Sequence, residues 1–312
     1  MRILDAAEIR ARLTYDVCIP AVRAAMMEVS AGSTRQLLRS ILPLADGKLL
    51  GVMPGALAPG DVFGAKLVSV SHGAGGRPSH QGVVVLFDGD TGAPVCIADG
   101  GEITAIRTAA ASAVATEALA RPDAAHLAVL GAGVQAQAHA RAIAHVRRLA
   151  TITLWDVDAA RAGGLAQSLM RELGVPVNAA ETARLAVARA DIICTVTPAQ
   201  DPILFADWVA PGAHLNVVGS SVAGPAEVDG ALVRRARFIA DSRAGVLAQG
   251  GEFLRAKAAG LVSDDHVVGE IGDVLSGALT GRENDQQLTL YKSLGHIAQD
   301  LAAARALLLP QA

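Results

Sequence analysis

Cysteine is scarce: Cys18, Cys96 and Cys194 stand far apart in a chain of 312 residues. An odd number without CxxC spacing supports neither a disulfide framework nor a thiolate metal site, so buried free thiols are expected. A dominant charge is missing too. The formal net charge of -3, with 18% charged residues, offers no electrostatic case for nucleic acid. No segment supplies the roughly 20 apolar residues that cross a bilayer, and "MRILDAAEIRARL" lacks the long apolar run of a signal peptide. No membrane contact and a cytoplasmic location are the expectations. Metal-ligand spacing is also absent. His72 and His80 sit in "SHGAGGRPSHQG" without an HxH or HExxH pattern, so no metal is expected.

What the chain does have is length and apolar content. Its size suits two compact domains, and 52% hydrophobic residues with few charges suggest that a partner subunit covers part of the surface. Residues 1–120 read as an α+β region. "LDAAEIRARLTYDVCIPAVRAAMMEVSAG" has helical spacing with a break expected near Pro20, and "RSILPLADGKLLGVMPGAL" reads as two strands around the Asp46-Gly47 turn. "FGAKLVSVS" and "QGVVVLFDGDTGAPVCIADG" add three strands, the last two joined at Asp90 to Gly92, which predicts an antiparallel sheet. "GGEITAIRTAAASAVATEALARPD" is a long helix stopped near Pro122.

Beyond residue 120 short apolar strands alternate with alanine-rich helical segments: "HLAVLGAG", "TITLWDVD", "ADIICTVTP", "AHLNVVGSS" and "RFIADS". This βαβ rhythm predicts a Rossmann-type parallel sheet over 121–289. Residues 290–312, a strand fragment and a final helix, are expected to return to the first domain. The predicted fold class is therefore α/β, a Rossmann-type parallel sheet domain beside an α+β domain, which the resemblance described below implies to be a substrate-binding and dimerisation domain.

In "LGAGVQAQA", Gly131, Gly133 and Ala136 form a G-x-G-x-x-A turn between a strand and a helix. The first glycine permits the tight turn, the second admits a pyrophosphate to the backbone, and the third small residue keeps helix and sheet close. Asp156, at the end of the second strand, stands where a carboxylate accepts hydrogen bonds from an adenosine ribose and repels a 2'-phosphate. NAD is thus favoured over NADP, although Arg161 lies on the next helix, and Asp158 is either a competing acid or a helix cap. Thr195 and Thr197 in "TVTP", with Ser220 and Ser221 in "NVVGSS", sit at strand C-termini; their hydroxyls serve either the nicotinamide half or their own turns.

Three cations lie in apolar surroundings: Arg39 in "LLRSILPL", Lys66 in "VFGAKLVSV" and Arg107 in "EITAIRTAAASA". Surface pairing or snorkelling is the ordinary reading of each. Brought together, two guanidinium groups suit a substrate carboxylate, and a partly buried lysine suits proton transfer beside a carbon that receives hydride.

The segments "FGAKLVSVS", "RPSHQGVVVLFDGDTGAPVCIADGGEITAIRTAAASAVATEALARPDA", "LAVLGAGVQAQAHARAI", "LNVVGSS...AEVD" and "GR...LTLYKSLGHIAQDL" together resemble the ornithine cyclodeaminase/μ-crystallin family over nearly the whole chain. The resemblance implies a homodimer with a dimerising substrate domain beside a Rossmann domain. It also assigns Arg39 and Arg107 to a substrate carboxylate and Lys66 to the amino or imino end of the reacting carbon. Gly131, Gly133, Val134 and Gln135 then surround the pyrophosphate, with Ser293 and Gly295 near the nicotinamide. Two departures bear on chemistry. Where cyclodeaminases resemble one another in an aspartate after the "VGG" segment and a glutamate before "MP", this chain has Ser221 and Gly51. The resemblance therefore implies an NAD(P)-dependent reductase of cyclic imino acids, reversible as an amino acid dehydrogenase. A cyclodeaminase-type lyase with catalytic NAD and a nonenzymatic protein binding NAD(P)H and a small ligand are the alternatives.

Overall fold

The computed structural model describes residues 1–70 and 80–309, without the side chain of His80. The "SHGAGGRPSHQG" loop, His72 included, thus falls largely outside the described residues. The chain divides into two compact units, Met1–Arg107 with His296–Ala312, and Thr108–Gly295. The first division lies inside the long helix Gly100–Leu119, where the sequence reading puts it near residue 120.

The first unit is built on a seven-stranded sheet. Its strands are β1 (Arg2–Leu4), β2 (Arg35–Gln36), β3 (Ser40–Pro43), β4 (Leu49–Ala56), β5 (Val62–Val70), β6 (His80–Asp88) and β7 (Pro94–Asp99). The expected antiparallel pairing holds from β2 through β7, while β1 adds to β7 in parallel. Asp46 and Gly47 both adopt positive φ, 58° and 67°, and turn β3 into β4, a conformation that Asp tolerates and Gly favours.

Helix Tyr15–Ser30 runs through Pro20 instead of breaking there. Proline removes one intrahelical donor, and the buried side chains Cys18, Ile19, Val22, Ala25 and Met26 along one side outweigh that loss. The break falls earlier, at Leu13 and Thr14, before the extended Thr14 opens the helix.

The last helix, Ile297–Ala306, packs on β4, β5, β6 and the helix Tyr15–Ser30. Register puts Met53 opposite Lys66 and Lys66 opposite Val84, so these side chains share the covered face, and all three are buried. The alternate residues face away. Leu42, Phe63, Leu67 and Ile3 on that side are 57%, 39%, 38% and 71% exposed.

In the second unit eight strands make an all-parallel sheet in the order β10-β9-β8-β11-β12-β15-β13-β14. They are β8 (His126–Leu130), β9 (Thr151–Trp155), β10 (Val177–Ala179), β11 (Ile192–Thr195), β12 (His214–Val217), β13 (Arg237–Ala240), β14 (Val267–Glu270) and β15 (Thr289–Lys292). β15 is inserted between β12 and β13, so residues 290–295 stay with this sheet and the return begins at His296. Buried side chains from these strands, among them Leu130, Ile193, Leu215, Phe238 and Leu290, form the core. Chain direction reverses its spread on either side of β8, which places the topological switch point between β8 and β11. Among the described residues no helix is long and apolar enough to cross a membrane.

Glycine at position 64 is needed for strand approach, because a β-carbon there would overlap the Val85 carbonyl oxygen on the neighbouring strand. Backbone atoms cannot step aside as a side chain can. Gly64→Ala is expected to cost about 3 kcal/mol or more and to lower the thermal midpoint by roughly 6 °C, measured by circular dichroism.

Candidate active site

At the switch point of the second unit, β8 is followed by Gly131, whose φ of 118° and the 3.0 Å approach of a β-carbon there to the Val196 carbonyl oxygen both require glycine. Helix Val134–Val146 begins immediately after. Its N-cap, Gly133, makes no side-chain capping bond, nothing stands within 4 Å of a β-carbon built there, and Val134 is 70% exposed. The first turn of this helix, at Gly133 and Val134, therefore borders open space, which fits a pyrophosphate.

Asp156 follows β9, and its carboxylate accepts from Ala132 N at 2.7 Å and Asp158 N at 2.9 Å. It thus lies against the glycine turn, where a negative charge opposes a 2'-phosphate. Asp158 caps the following helix by accepting from Arg161 N at 3.0 Å, and the Arg161 side chain is exposed and reaches Asp158 only at 4.0 Å.

The hydroxyls at the other strand ends are turned inward. Thr195 Oγ1 and Thr197 Oγ1 each donate to Glu227 at 2.8 Å, and the same carboxylate accepts from Thr197 N and Gly219 N at 2.6 Å. Glu227, fully buried, thereby ties the loop after β11 to the loop after β12. Ser220 Oγ donates to the buried Glu252 and accepts from Lys292 Nζ at 2.8 Å, while Lys292 Nζ pairs with Glu252 at 2.9 Å. Asp241 accepts from Gly295 N at 2.7 Å, and burial pushes its pKa up to about 6 against that bond. Ser293 Oγ is buried and has no hydrogen-bond partner among the described residues. An unsatisfied donor of this kind fits a polar ligand group such as a carboxamide. Ser221 is half-buried on the same edge.

The first unit gathers the three cations. Lys66 Nζ, on β5, contacts both oxygens of Asp300 at 2.9 and 3.1 Å. Arg107 Nε reaches the same carboxylate at 3.0 Å, and its Nη1 donates to Gln299 Oε1 at 2.7 Å. Asp300 is completely buried in the last helix. Nη2 of Arg107 is engaged by neither Asp300 nor Gln299. Burial lowers the pKa of Lys66 to about 8; Asp300 opposes the shift, and the positive charges of Arg107 and Arg39 add to it. Burial works to raise Asp300, yet Arg107 and Lys66 hold its carboxyl below the ordinary range. His296 caps the last helix, its Nδ1 accepting from Ala298 N at 3.1 Å, and burial lowers its pKa to about 4, leaving a neutral imidazole.

Asp300, Gln299, Glu227, Lys292 and Glu252 were not singled out from the sequence. The available signal was an acid inside the apolar run "IAQDLAAARALLL" and another in "AEVD", both of which ask for a buried partner. Among the described residues no group of three or more His, Cys, Asp or Glu side chains is placed to hold a metal.

Strand order and glycine turn define a Rossmann-type dinucleotide fold joined in one chain to an α+β unit. The ornithine cyclodeaminase/mu-crystallin family model matches residues 1–308, and the chain belongs to that family. Ketimine reductase mu-crystallin of Mus musculus is 37% identical over 309 residues, covering 97% of this chain and 95% of the relative. The structure of Thermococcus litoralis Δ1-pyrroline-2-carboxylate reductase with NADH and L-proline is 31% identical with a TM-score of 0.95, covering 98% of this chain and 96% of that one. An archaeal alanine dehydrogenase, solved as a dimer with bound NAD, is 27% identical with a TM-score of 0.91, covering 98% and 94%.

A substitution at Gly133 tests cofactor binding apart from folding. Gly133→Ala is expected to leave the melting temperature within about 1 °C, because a methyl group meets nothing, and to weaken NADH binding roughly tenfold or more by entering the pyrophosphate space. Fluorescence titration of NADH beside a thermal melt checks both halves.

Proposed function

We propose that this protein is an NAD(P)H-dependent reductase of cyclic imino acids such as Δ1-pyrroline-2-carboxylate or Δ1-piperideine-2-carboxylate, running in reverse as an amino acid dehydrogenase. The observation that carries the reading is the buried Lys66–Asp300–Arg107 cluster, in which a lysine of lowered pKa stands beside guanidinium charge. The reductase relatives in the same family support it. When bound, the reduced cofactor supplies a hydride, and Asp156 favours NADH over NADPH.

Arg39 and Arg107 hold the substrate carboxylate. Lys66, as the ammonium form, would give its proton to the imine nitrogen directly or through water, the bound cofactor supplying the hydride that turns C=N into CH–NH. Gly131, Gly133, Val134 and Gln135 would hold the pyrophosphate, and Ser293 and Gly295 would lie beside the nicotinamide. Thr195, Thr197 and Ser220 act through Glu227 and Glu252, keeping the loops in place. Ser221 offers no carboxylate for deamination near neutral pH. A side chain at Gly51 is impeded as well, since its β-carbon would lie 2.9 Å from Val68 Cγ1. Both features favour reduction over cyclodeamination.

The working protein in this reading is a homodimer, joined through the open apolar face of the first unit's sheet. Leu67→Lys is expected to yield monomer in light scattering; an unchanged dimer would place the interface elsewhere.

Incubated with cyclic ketimines, the protein should oxidise NADH in proportion to substrate reduced, followed by absorbance. Conversion of ornithine to proline and ammonia without net cofactor loss would overturn the reading. Lys66→Met should lower kcat by about 100-fold or more while NADH affinity stays within about twofold. Because Lys66 titrates at about 8 and reduction uses its protonated form, kcat for reduction should fall as pH rises through about 8. Oxidation of the amino acid should rise over the same interval.

A further inference from the structure

We infer that Asp300 is a positioning residue that sets both the charge of Lys66 and its spacing from Arg107, so that one carboxylate on the last helix organises the proton donor and the anion receptor together. The inference deepens the imino acid reductase reading and rests on it for its catalytic consequence. Its physical basis is independent of the substrate.

Asp300 is fully buried and contacts Lys66 Nζ through both oxygens, at 2.9 and 3.1 Å. The oxygen nearer to Lys66 also accepts from Arg107 Nε at 3.0 Å. Sharing that oxygen fixes the distance between ammonium and guanidinium, and Gln299 Oε1, one residue earlier on the helix, holds Arg107 Nη1 at 2.7 Å. Arg107 therefore has Nε and Nη1 occupied by consecutive residues of one helix, which leaves Nη2 outside those two contacts. The spacing between an imine nitrogen and its α-carboxylate is equally fixed, which makes a rigid donor pair the appropriate receptor.

Charge follows the same arrangement. Burial and the two arginines all favour loss of the Lys66 proton, and Asp300 is the group opposing them. When the proton passes to the imine nitrogen, positive charge moves from Lys66 to its neighbour, and Asp300 remains the counter-ion of whichever atom carries it. Among the described residues the other charged or titratable groups acting on the cluster are Arg39, a cation, His296, which is neutral above pH of about 4, and Cys18, whose thiol burial pushes up to about 12. None of them replaces the carboxylate.

The chain has four lysines, Lys48, Lys66, Lys257 and Lys292, so Lys66 can be followed by NMR with lysine labelled at the ε-carbon and assigned with Lys66→Arg. In Asp300→Asn that has been shown to fold by thermal melting, Lys66 is expected to titrate about one pH unit or more below its wild-type midpoint. The alkaline limb of kcat moves with it, and NADH affinity is unchanged. An unshifted Lys66 titration in the folded variant overturns the inference. Asp300→Glu keeps the charge but lengthens the arm, so Lys66 should titrate near its wild-type midpoint while KM for the imino acid rises roughly tenfold. A wild-type KM there overturns the spacing role, including when the asparagine variant does not fold. Should the wild-type protein reduce no ketimine, the function above fails, whereas a displaced Lys66 titration still upholds the part played by Asp300.

Discussion

Ionised side chains kept out of water are the constraint on which both units are organised. An isolated buried charge costs several kcal/mol or more, so each one here is surrounded by partners brought from distant parts of the chain. In the first unit two cations share the Asp300 carboxylate. In the second, Lys292 is matched by Glu252 and by the Ser220 carbonyl at 2.6 Å, while Glu227 takes four donors from two loops. The strands and helices have to meet where these groups require it, and alanine and glycine make the close approach feasible. At Gly219 a β-carbon would overlap the Thr197 carbonyl oxygen and crowd Glu227.

The same constraint explains what was legible beforehand. A strand, a glycine turn and a helix are contiguous, so Gly131, Gly133 and the parallel sheet could be read as local pattern. Lys66 and Arg107 were conspicuous because cations interrupt apolar runs. Their counter-ion was not, because Asp300 lies 234 and 193 residues away from them, and periodicity carries no information about pairing over that span. Thr195, Thr197 and Ser220 read locally as hydroxyls near strand ends, but their turn toward Glu227 and Glu252 is set by contacts 30 or more residues away in sequence. Pro20 shows the opposite limit: a strong local signal for a break yields to a row of buried neighbours.

The two faces of the first unit's sheet also differ in chemical purpose. Alternation along β4, β5 and β6 sends Met53, Lys66 and Val84 under the helices, and sends Leu67 and Phe63 away from them. One strand therefore carries the buried Lys66 amine and part of the apolar outer surface on successive residues. Register is what keeps these tasks apart, since a slip by one residue would exchange them.

Asp156 carries a consequence of another kind. Its carboxylate braces the backbone of the glycine turn through Ala132 N, and the proposed reading gives the same group the cofactor's ribose. In that reading, choice of dinucleotide and shape of the glycine turn are mechanically one property. An engineer who exchanges Asp156 for a neutral or basic residue to admit a phosphorylated ribose also removes a strut from the loop, and has to supply a replacement acceptor for Ala132 in the same redesign.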